Sequence, residues 1–316
     1  MRQVRTVLGD LPADSLGRVD CHEHLFQVSP LLPGDELDDE AASGGEAAIL
    51  LASGFDAMID ATPIGLGRDP EAVARVSTAT GLTVIATTGI HRDAHYSPDH
   101  WLRGLDAPAR SRLFIDDLEL GMPVSDRPEG APRSSAPDGQ PICAGLIKAG
   151  IGYWSISPFE RTTLEAIGIA HAATGAPVMV HLEFCTAAHE VLDLLADVGV
   201  PSRRVMLAHA DRDPDPLLHL ELALRGAVLG YDGMARPRTR SDAELVDLVE
   251  QMVTNGGGAQ IVLGGDVARR TRYLSYGGMP GLGYLGDRFV PRLRDRVGEA
   301  AVDAMLTVTP RRFLSR

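Results

Sequence analysis

The sequence has few cysteines and no apolar stretch of membrane-spanning length. No stretch reaches the roughly 18 to 20 apolar residues that a membrane helix needs, and the first residues lack a long apolar run and a leader cleavage site. The three cysteines, Cys21, Cys143 and Cys185, lie in apolar or strand-like surroundings and cannot all pair, which suits a reducing compartment. We therefore expect a soluble cytoplasmic protein with no membrane partner.

An excess of positive charge is also missing. The net charge of -13 at pH 7 argues against a nucleic-acid partner. A small anionic ligand is still compatible with this charge, because a local group of arginines can oppose the global sign. The chain has 316 residues, with 44% hydrophobic and 23% charged residues, an ordinary globular composition. We expect one domain that spans residues 1–316.

Two nucleotide-binding motifs are absent as well. No Gly-rich dinucleotide fingerprint follows the first apolar run, and no Gly-x-x-x-x-Gly-Lys phosphate loop occurs anywhere. These absences weaken an open doubly wound sheet, which stays the structural alternative. The chain instead repeats short apolar runs, most of them followed by helical patterns. The runs occupy residues 18–22, 55–60, 82–87, 142–148, 177–181, 205–209, 227–232 and 260–266.

The segments between these runs carry helix start and stop signals. Helices are predicted near residues 46–52, 70–80, 158–174, 186–198 and 241–254. Apolar strands that alternate with helices imply parallel pairing with right-handed crossovers. Eight such units predict the α/β class and a (β/α)8 TIM barrel. We expect a short β element at residues 3–12, and a mobile insertion at 121–140 before the fourth strand.

A His-x-His pair ends the first apolar run. In a strand, side chains alternate between faces, so His22 and His24 point the same way and Glu23 points the other way. Two imidazoles on one face are a sensible half-site for zinc or a similar divalent ion. The alternative is an ordinary pair of histidines on a surface strand.

Four other polar residues occupy the same place in later units. Lys148, His181, His209 and Asp266 stand at the ends of the fourth, fifth, sixth and eighth apolar runs. Each alone is compatible with a structural role, as a hydrogen-bonded histidine or a helix cap. In a barrel, however, the carboxyl ends of the strands converge on one mouth. Five strands with this placement therefore predict a metal site.

The motifs around these residues resemble the phosphotriesterase family of the amidohydrolase superfamily, over nearly the whole chain. The matching stretches are 22–25 (His-Glu-His-Leu), 147–150 (Ile-Lys-Ala-Gly), 174–181, 276–278 (Tyr-Gly-Gly) and 309–314, together with His209 and Asp266.

The resemblance implies two divalent metal ions, most often zinc, bridged by a carboxylated lysine and a hydroxide. Carried over by position, His22, His24 and Asp266 would hold the buried ion, and His181 and His209 the exposed ion, with Lys148 as the bridge. Manganese and cobalt also fit such ligands. Burial would favour the neutral amine that carboxylation needs; the alternative is a plain catalytic or salt-bridged Lys148. Asp266 would accept the proton of the attacking hydroxide.

Arginines follow the last two strands, in the loops where barrels often bind phosphate. Residues 264–270 with Tyr273 resemble the branch of the family that hydrolyses phosphorylated sugar lactones. Arg270 and Tyr273 are the first candidates for the phosphate contact, with Arg236 or Arg238 assisting. The alternative for each arginine is a surface ion pair. Further candidates for the pocket wall are His91 and Tyr96, whereas Tyr153 and Trp154 are expected to pack.

These inferences predict a metal-dependent hydrolase that opens an anionic, sugar-derived lactone by attack of a metal-bridging hydroxide. The alternatives are a carboxylesterase, a phosphotriesterase or organophosphate hydrolase on the same centre, and a non-catalytic metal-containing binding protein. The family resemblance further suggests a homodimer.

Overall fold

Eight parallel strands form the centre of the molecule, and the expected (β/α)8 barrel is confirmed. The structure, a computed structural model, describes residues 2–127 and 131–316. Each barrel strand pairs in parallel with the next one in the sequence. The barrel strands are β3 (Val19–Glu23), β4 (Ala57–Asp60), β5 (Thr83–Gly89), β6 (Leu146–Ile151), β7 (Val178–Leu182), β8 (Val205–Ala208), β9 (Val228–Tyr231) and β10 (Ile261–Leu263).

A helix connects each barrel strand to the next. These helices are α1 (Glu40–Ala52), α2 (Pro70–Thr80), α3 (Ala107–Glu119), α4 (Pro158–Thr174), α5 (Ala188–Asp197), α6 (Pro216–Leu224) and α7 (Asp242–Thr254). Three more helices follow β10, namely α8 (Val290–Val297), α9 (Glu299–Asp303) and α10 (Thr309–Leu314). Within the described residues, no helix combines the length and the apolar character needed to span a bilayer.

Local capping explains where the helices begin. The bounds expected for α2 and α4 are correct, and α4 begins with a capping box between Ser157 and Glu160. Helix α1 starts six residues earlier than expected, at Glu40, because the side chain of Asp39 accepts a hydrogen bond from the backbone of the first turn. The sequence prediction missed α3 and α6. Both carry an aspartate cap and a proline in the first turn.

The N-terminal β element is also confirmed, as an antiparallel hairpin of β1 (Gln3–Thr6) and β2 (Gly9–Pro12). Just after β1, the backbone N–H of Val7 donates to Val84 O near the start of β5, at 3.0 Å. The hairpin therefore lies at the N-terminal end of the barrel. Val4 of β1 belongs to the apolar cluster that fills the barrel interior, whereas a second, larger apolar cluster packs the strands against the helices.

Backbone contacts join the last strand to the first. The N–H of Asp266 donates to His22 O at 2.8 Å, and the N–H of Gly265 donates to the Asp20 carboxylate at 3.3 Å. Gly264 lies against β3 so closely that a Cβ there would be 2.8 Å from the His22 nitrogen. Glycine is therefore required at position 264 for this approach.

The insertion at 121–140 is tied to the barrel more firmly than expected. Residues 128–130 lie outside the described part, but on either side of them the chain forms bridges between Pro123 and Arg133 and between Ser135 and Pro141. Asp126 forms an ion pair with Arg68 at 2.7 Å. Of the described residues, none from 121–127 or 131–140 lines the barrel mouth. These flanks are therefore attached to the barrel by specific contacts, and the mobility expected of the insertion stays a prediction.

Arg68 is the anchor of this insertion, and its removal tests the attachment. Its guanidinium joins Asp126 and Asp117, and all three side chains are at most one-tenth exposed. Arg68→Met would remove the buried guanidinium that both carboxylates share and leave each with weaker partners, so we expect a loss of about 3–5 kcal/mol in the free energy of unfolding. Urea titration followed by circular dichroism measures this loss.

Arg75→Met is the matched control. Its ion pair with Glu40 is half exposed on both sides, so we expect a loss below about 1 kcal/mol. Equal losses in the two variants would show that the buried pair does not anchor the insertion.

Candidate metal centre

The expected metal ligands come together at one end of the barrel. All six line a cavity of about 180 Å³ at the carboxyl ends of the strands. Lys148 follows Leu146 by two residues along β6, and His181 follows Met179 by two residues along β7, so the members of each pair share a face of their strand. Because Leu146 and Met179 fill the barrel interior, all four side chains point inward. The polar side chains at the mouth therefore lie next to the apolar side chains that fill the barrel interior.

The first group consists of His22, His24 and Asp266. The Nε2 atoms of His22 and His24 lie 3.7 and 3.9 Å from Asp266 Oδ1. One ligand atom from each residue lies within 4.8 Å of the others. Two imidazole nitrogens and one carboxylate oxygen at this spacing fit a divalent ion such as zinc.

The second group is a pair of facing imidazoles. His181 Nδ1 and His209 Nε2 are 2.8 Å apart. Burial lowers the pKa of both rings well below the usual value, and it does the same for His24. These rings are therefore neutral at pH 7, which is the form that binds a metal ion.

The carboxylate of Asp232 orients two of these rings at once. Its Oδ2 is 2.9 Å from His22 Nδ1, and its Oδ1 is 2.6 Å from His209 Nδ1. Both rings are thereby held with Nε2 toward the cavity, an arrangement typical of metal-binding histidines. The sequence analysis did not select Asp232, although it directly follows β9 and so stands at the end of the seventh barrel strand.

The other two rings have partners of the same kind. His24 Nδ1 is 2.7 Å from Thr62 Oγ1, and His181 Nε2 is 3.2 Å from Glu183 Oε2. Thus, each of the four imidazoles has one nitrogen held by a neighbouring side chain and the other directed at the shared site. Neither Thr62 nor Glu183 was predicted from the sequence.

Lys148 is the only lysine in the chain. It is buried, and its Nζ donates to Ala61 O at 2.8 Å and lies 3.4 Å from His22 Nε2. Burial lowers the pKa of Lys148 to about 8. A substantial neutral fraction of the amine is therefore accessible near neutral pH, as reaction with carbon dioxide requires.

Asp266 connects the imidazoles to two arginines. Its Oδ2 accepts hydrogen bonds from Arg236 at 2.6 Å and from Arg212 at 3.1 Å. Burial alone would raise the pKa of this carboxyl, but the positive charge of Arg236 is the largest of the effects that outweigh burial and hold it below its usual value. Asp266 is therefore ionised at neutral pH.

Two of the expected substrate-binding residues line the cavity. Arg236 reaches it beside Asp266, and His91 lies in its wall, with its ring stacked 4.0 Å from that of His95. Tyr96 lies behind this wall, because its buried hydroxyl accepts from the His91 N–H at 2.9 Å and donates to Ile64 O. Tyr96 therefore positions His91 and does not face the cavity.

The structure places the other three expected contacts away from the cavity. Tyr273 is fully buried and its hydroxyl donates to His24 O. Arg270 points outward, where its guanidinium lies over the Tyr276 ring at 5.2 Å, and Arg238 is exposed to solvent. The expectation that Tyr273, Arg270 and Arg238 contact substrate is therefore corrected, since strand-end spacing does not fix the direction of loop side chains.

Several lining residues were missed or not selected. The cavity wall also contains Arg212, Arg269, Arg92, Gln27 and His95. Arg212 follows His209 by three residues, so its proximity to a predicted ligand was the available signal. Tyr153 and Trp154 were expected to pack, but they are 62% and 67% exposed, so that expectation was wrong.

Comparisons with known proteins agree with this geometry. The model of the phosphotriesterase family matches residues 2–314. A protein named phospho-furanose lactonase from Mycoplasmopsis agalactiae is 29% identical over 99% of this chain and 91% of its own length. The part of the chain that matches the family therefore includes every residue that lines the cavity.

Solved structures give the same result. The lactonase Lmo2620 from Listeria monocytogenes superposes with a TM-score of 0.87 at 28% identity, covering 99% of this chain and 98% of its own. The phosphotriesterase homology protein from Escherichia coli, solved with phosphate in its active site, gives 0.84 at 27% identity over 95% and 99%. This chain therefore belongs to the phosphotriesterase family and is an ester-hydrolysing enzyme.

Proposed function

We propose that this enzyme opens the ring of a phosphorylated or otherwise anionic sugar lactone, using two divalent metal ions at the barrel mouth. One observation carries the proposal: a single cavity joins the only lysine and the Asp266 carboxylate to the imidazoles of His22, His24, His181 and His209, beneath a rim of arginines. The names of the similar proteins from Mycoplasmopsis agalactiae and Listeria monocytogenes, both lactonases, support the reaction class.

We propose two metal sites that share the cavity. We assign His22, His24 and Asp266 to one ion and His181 and His209 to the other, with a carboxylated Lys148 between them. Zinc is our first choice, because imidazole and carboxylate ligands suit it. When bound, two such ions would lower the pKa of a shared water to give hydroxide and polarise the ester carbonyl.

Asp266 is our candidate for moving the proton. Because it is ionised and buried at the mouth, it can accept the proton of the attacking water and later deliver it to the leaving alcohol. Asp232 positions the ligand rings and does not face the substrate. These roles require no movement of the backbone.

Arginines at the rim are our candidates for binding the anionic group of the substrate. Arg269 lines the cavity with its side chain 46% exposed, beside Arg236 and Arg212. We propose Arg269 and Arg212 in place of Arg270 and Tyr273. Guanidinium forks match phosphate and carboxylate geometry.

The residues that line the cavity also favour this proposal over the alternative functions. Among the described residues, only Leu32 and Ala268 contribute apolar side chains to the cavity wall. A neutral ester or a lactone with a long acyl chain would need more apolar surface than this. A carboxylesterase or phosphotriesterase activity on the same centre is therefore our second choice, and a non-catalytic binding protein our third.

Other properties belong to the same proposal. We propose that residues 1–316 form one domain, since one apolar cluster packs strands and helices from most of the chain together. We also propose that the protein forms a homodimer in the cytoplasm and has no nucleic-acid partner.

Matched lactones test the reaction and the anion site together. Metal-loaded protein is offered five-carbon and six-carbon sugar lactones with and without phosphate, and proton release is followed with a pH indicator. We expect preference for the phosphorylated forms. Arg269→Met should lower kcat/KM about 10–100-fold for these forms only, because it removes one charge-assisted contact.

Arg270→Met is the control, because the neighbouring arginine points away from the cavity. Its kinetics should match those of the unchanged protein. Equal turnover of both lactone forms would remove the phosphate assignment, and no turnover of any lactone would remove the lactonase proposal.

The carboxylated lysine has a direct spectroscopic test. In metal-loaded protein supplied with carbon-13 bicarbonate, we expect a carbamate carbon resonance that is missing from Lys148→Ala. Because the chain has no second lysine, only the N-terminal amine could give a competing signal. A spectrum unchanged by the substitution would contradict the bridge.

The role of Asp232 predicts a loss of metal affinity. Asp232→Asn keeps the shape but removes the charge shared by His22 and His209, so zinc affinity should fall about 10–100-fold. Competition with a chromogenic chelator measures it, and circular dichroism checks folding. Asp35→Asn, in the loop that holds Thr271, serves as the control. Unchanged affinity in Asp232→Asn would show that this carboxylate does not support the ligands.

A further inference from the structure

A cleft of about 590 Å³ lies at the N-terminal end of the barrel, opposite the mouth. Its walls come from segments that precede barrel strands, including Gly175 before β7 and Gln260 before β10, and from the end of α10. Five arginines line it, namely Arg2, Arg203, Arg204, Arg312 and Arg316. The functional residues at the mouth are not part of this cleft.

The positive charge of the cleft is largely uncompensated. Its described lining contains no aspartate or glutamate. Across residues 2–127 and 131–316, only Arg316 of the five forms an ion pair, with Glu119 at 3.3 Å. Burial, then the nearby charges of Arg203 and Arg2, lower the pKa of Arg204. Such concentrated positive charge is unexpected in a chain of net charge -13.

Two of these guanidinium groups form a fixed floor. Arg204 donates to Gly175 O at 2.7 Å and to Ser315 O at 2.9 Å, and Arg316 donates to Gly145 O at 3.1 Å. The Nε of Arg316 is buried without a hydrogen-bond partner in the described structure. A buried donor without a partner is costly, so the guanidinium of Arg316 keeps unsatisfied hydrogen-bonding capacity beside the cleft.

The remaining three arginines form the exposed rim. Arg312 is held by Ala259 O at 2.8 Å and by the Gln260 side chain at 2.9 Å, whereas Arg2 and Arg203 make no side-chain hydrogen bond within the described residues. Within the described residues, the guanidinium groups of Arg2 and Arg203 are therefore free to turn toward a ligand, whereas that of Arg312 is held at the edge of the cleft.

We propose that this cleft binds a small molecule that carries two or more phosphate groups. One phosphate would leave most of the five positive charges unmatched, and the cleft volume lies in the range of small-molecule sites. A long polyanion such as nucleic acid is disfavoured, because the acidic remainder of the protein would repel it. The ligand would bind independently of the lactone site, since the two lie at opposite ends of the barrel.

Calorimetric titration of the metal-loaded protein with fructose 1,6-bisphosphate at constant ionic strength tests the proposal. We expect saturable binding that Arg203→Ala/Arg312→Ala weakens at least about tenfold, because two charge-assisted contacts are lost. Lactone turnover should be unchanged in this variant. The calorimetric measurement of bisphosphate binding does not depend on the function proposed for the mouth.

Two controls separate the cleft from other sources of binding. Arg112→Ala/Arg288→Ala removes the same charge from exposed positions outside the cleft and should bind like the unchanged protein. Arg269→Met, at the mouth, should do the same. The proposal is overturned by an absence of saturable binding, by equal losses in both double variants, or by loss of binding in Arg269→Met.

Discussion

The contact between the last barrel strand and the first is the constraint on which the site depends. Closing the barrel there places Asp266 beside His22, because the Asp266 N–H donates to the backbone of that histidine. The carboxylate of Glu23 accepts from the Val267 N–H at 3.0 Å and so fixes the turn after Asp266. Without this closure, Asp266 and His22, which are more than two hundred positions apart in the sequence, would not lie side by side.

The closure requires carboxyl groups in the barrel interior. Asp20 and Glu23 are fully buried, and each has one side-chain oxygen without a partner in the described structure. Burial raises the pKa of Asp20 to about 8 and that of Glu23 well above its usual value. Both are therefore largely protonated at neutral pH, which limits negative charge beneath the mouth, whereas the pKa of Asp266 and that of Asp232 are held below their usual values.

The regular geometry of parallel strands made the barrel and the position of the candidate ligands predictable from the sequence. Parallel strands end at the same edge, so Lys148 and His181 could be placed at the mouth from the sequence, and alternation along a strand gave His22 and His24 a common direction. Loop residues obey no such period. Arg269 and Arg270 are neighbours, yet one lines the cavity and the other covers Tyr276. Asp232 was missed because its role appears only when His22 and His209 are seen to face it.

The two ends of the barrel differ in whether their arginines are paired with carboxylates. At the mouth, Arg236 and Arg212 are matched by Asp266, and Arg92 by Glu183 at 2.7 Å. An anion at the mouth would therefore compete with carboxylates that are already paired with these arginines. At the other end, Arg203 and Arg204 have no such competitor among the described residues. An anion bound there would meet arginines of which, within the described residues, only Arg316 is paired with a carboxylate, so the two ends of the barrel differ in how far their positive charge is already neutralised.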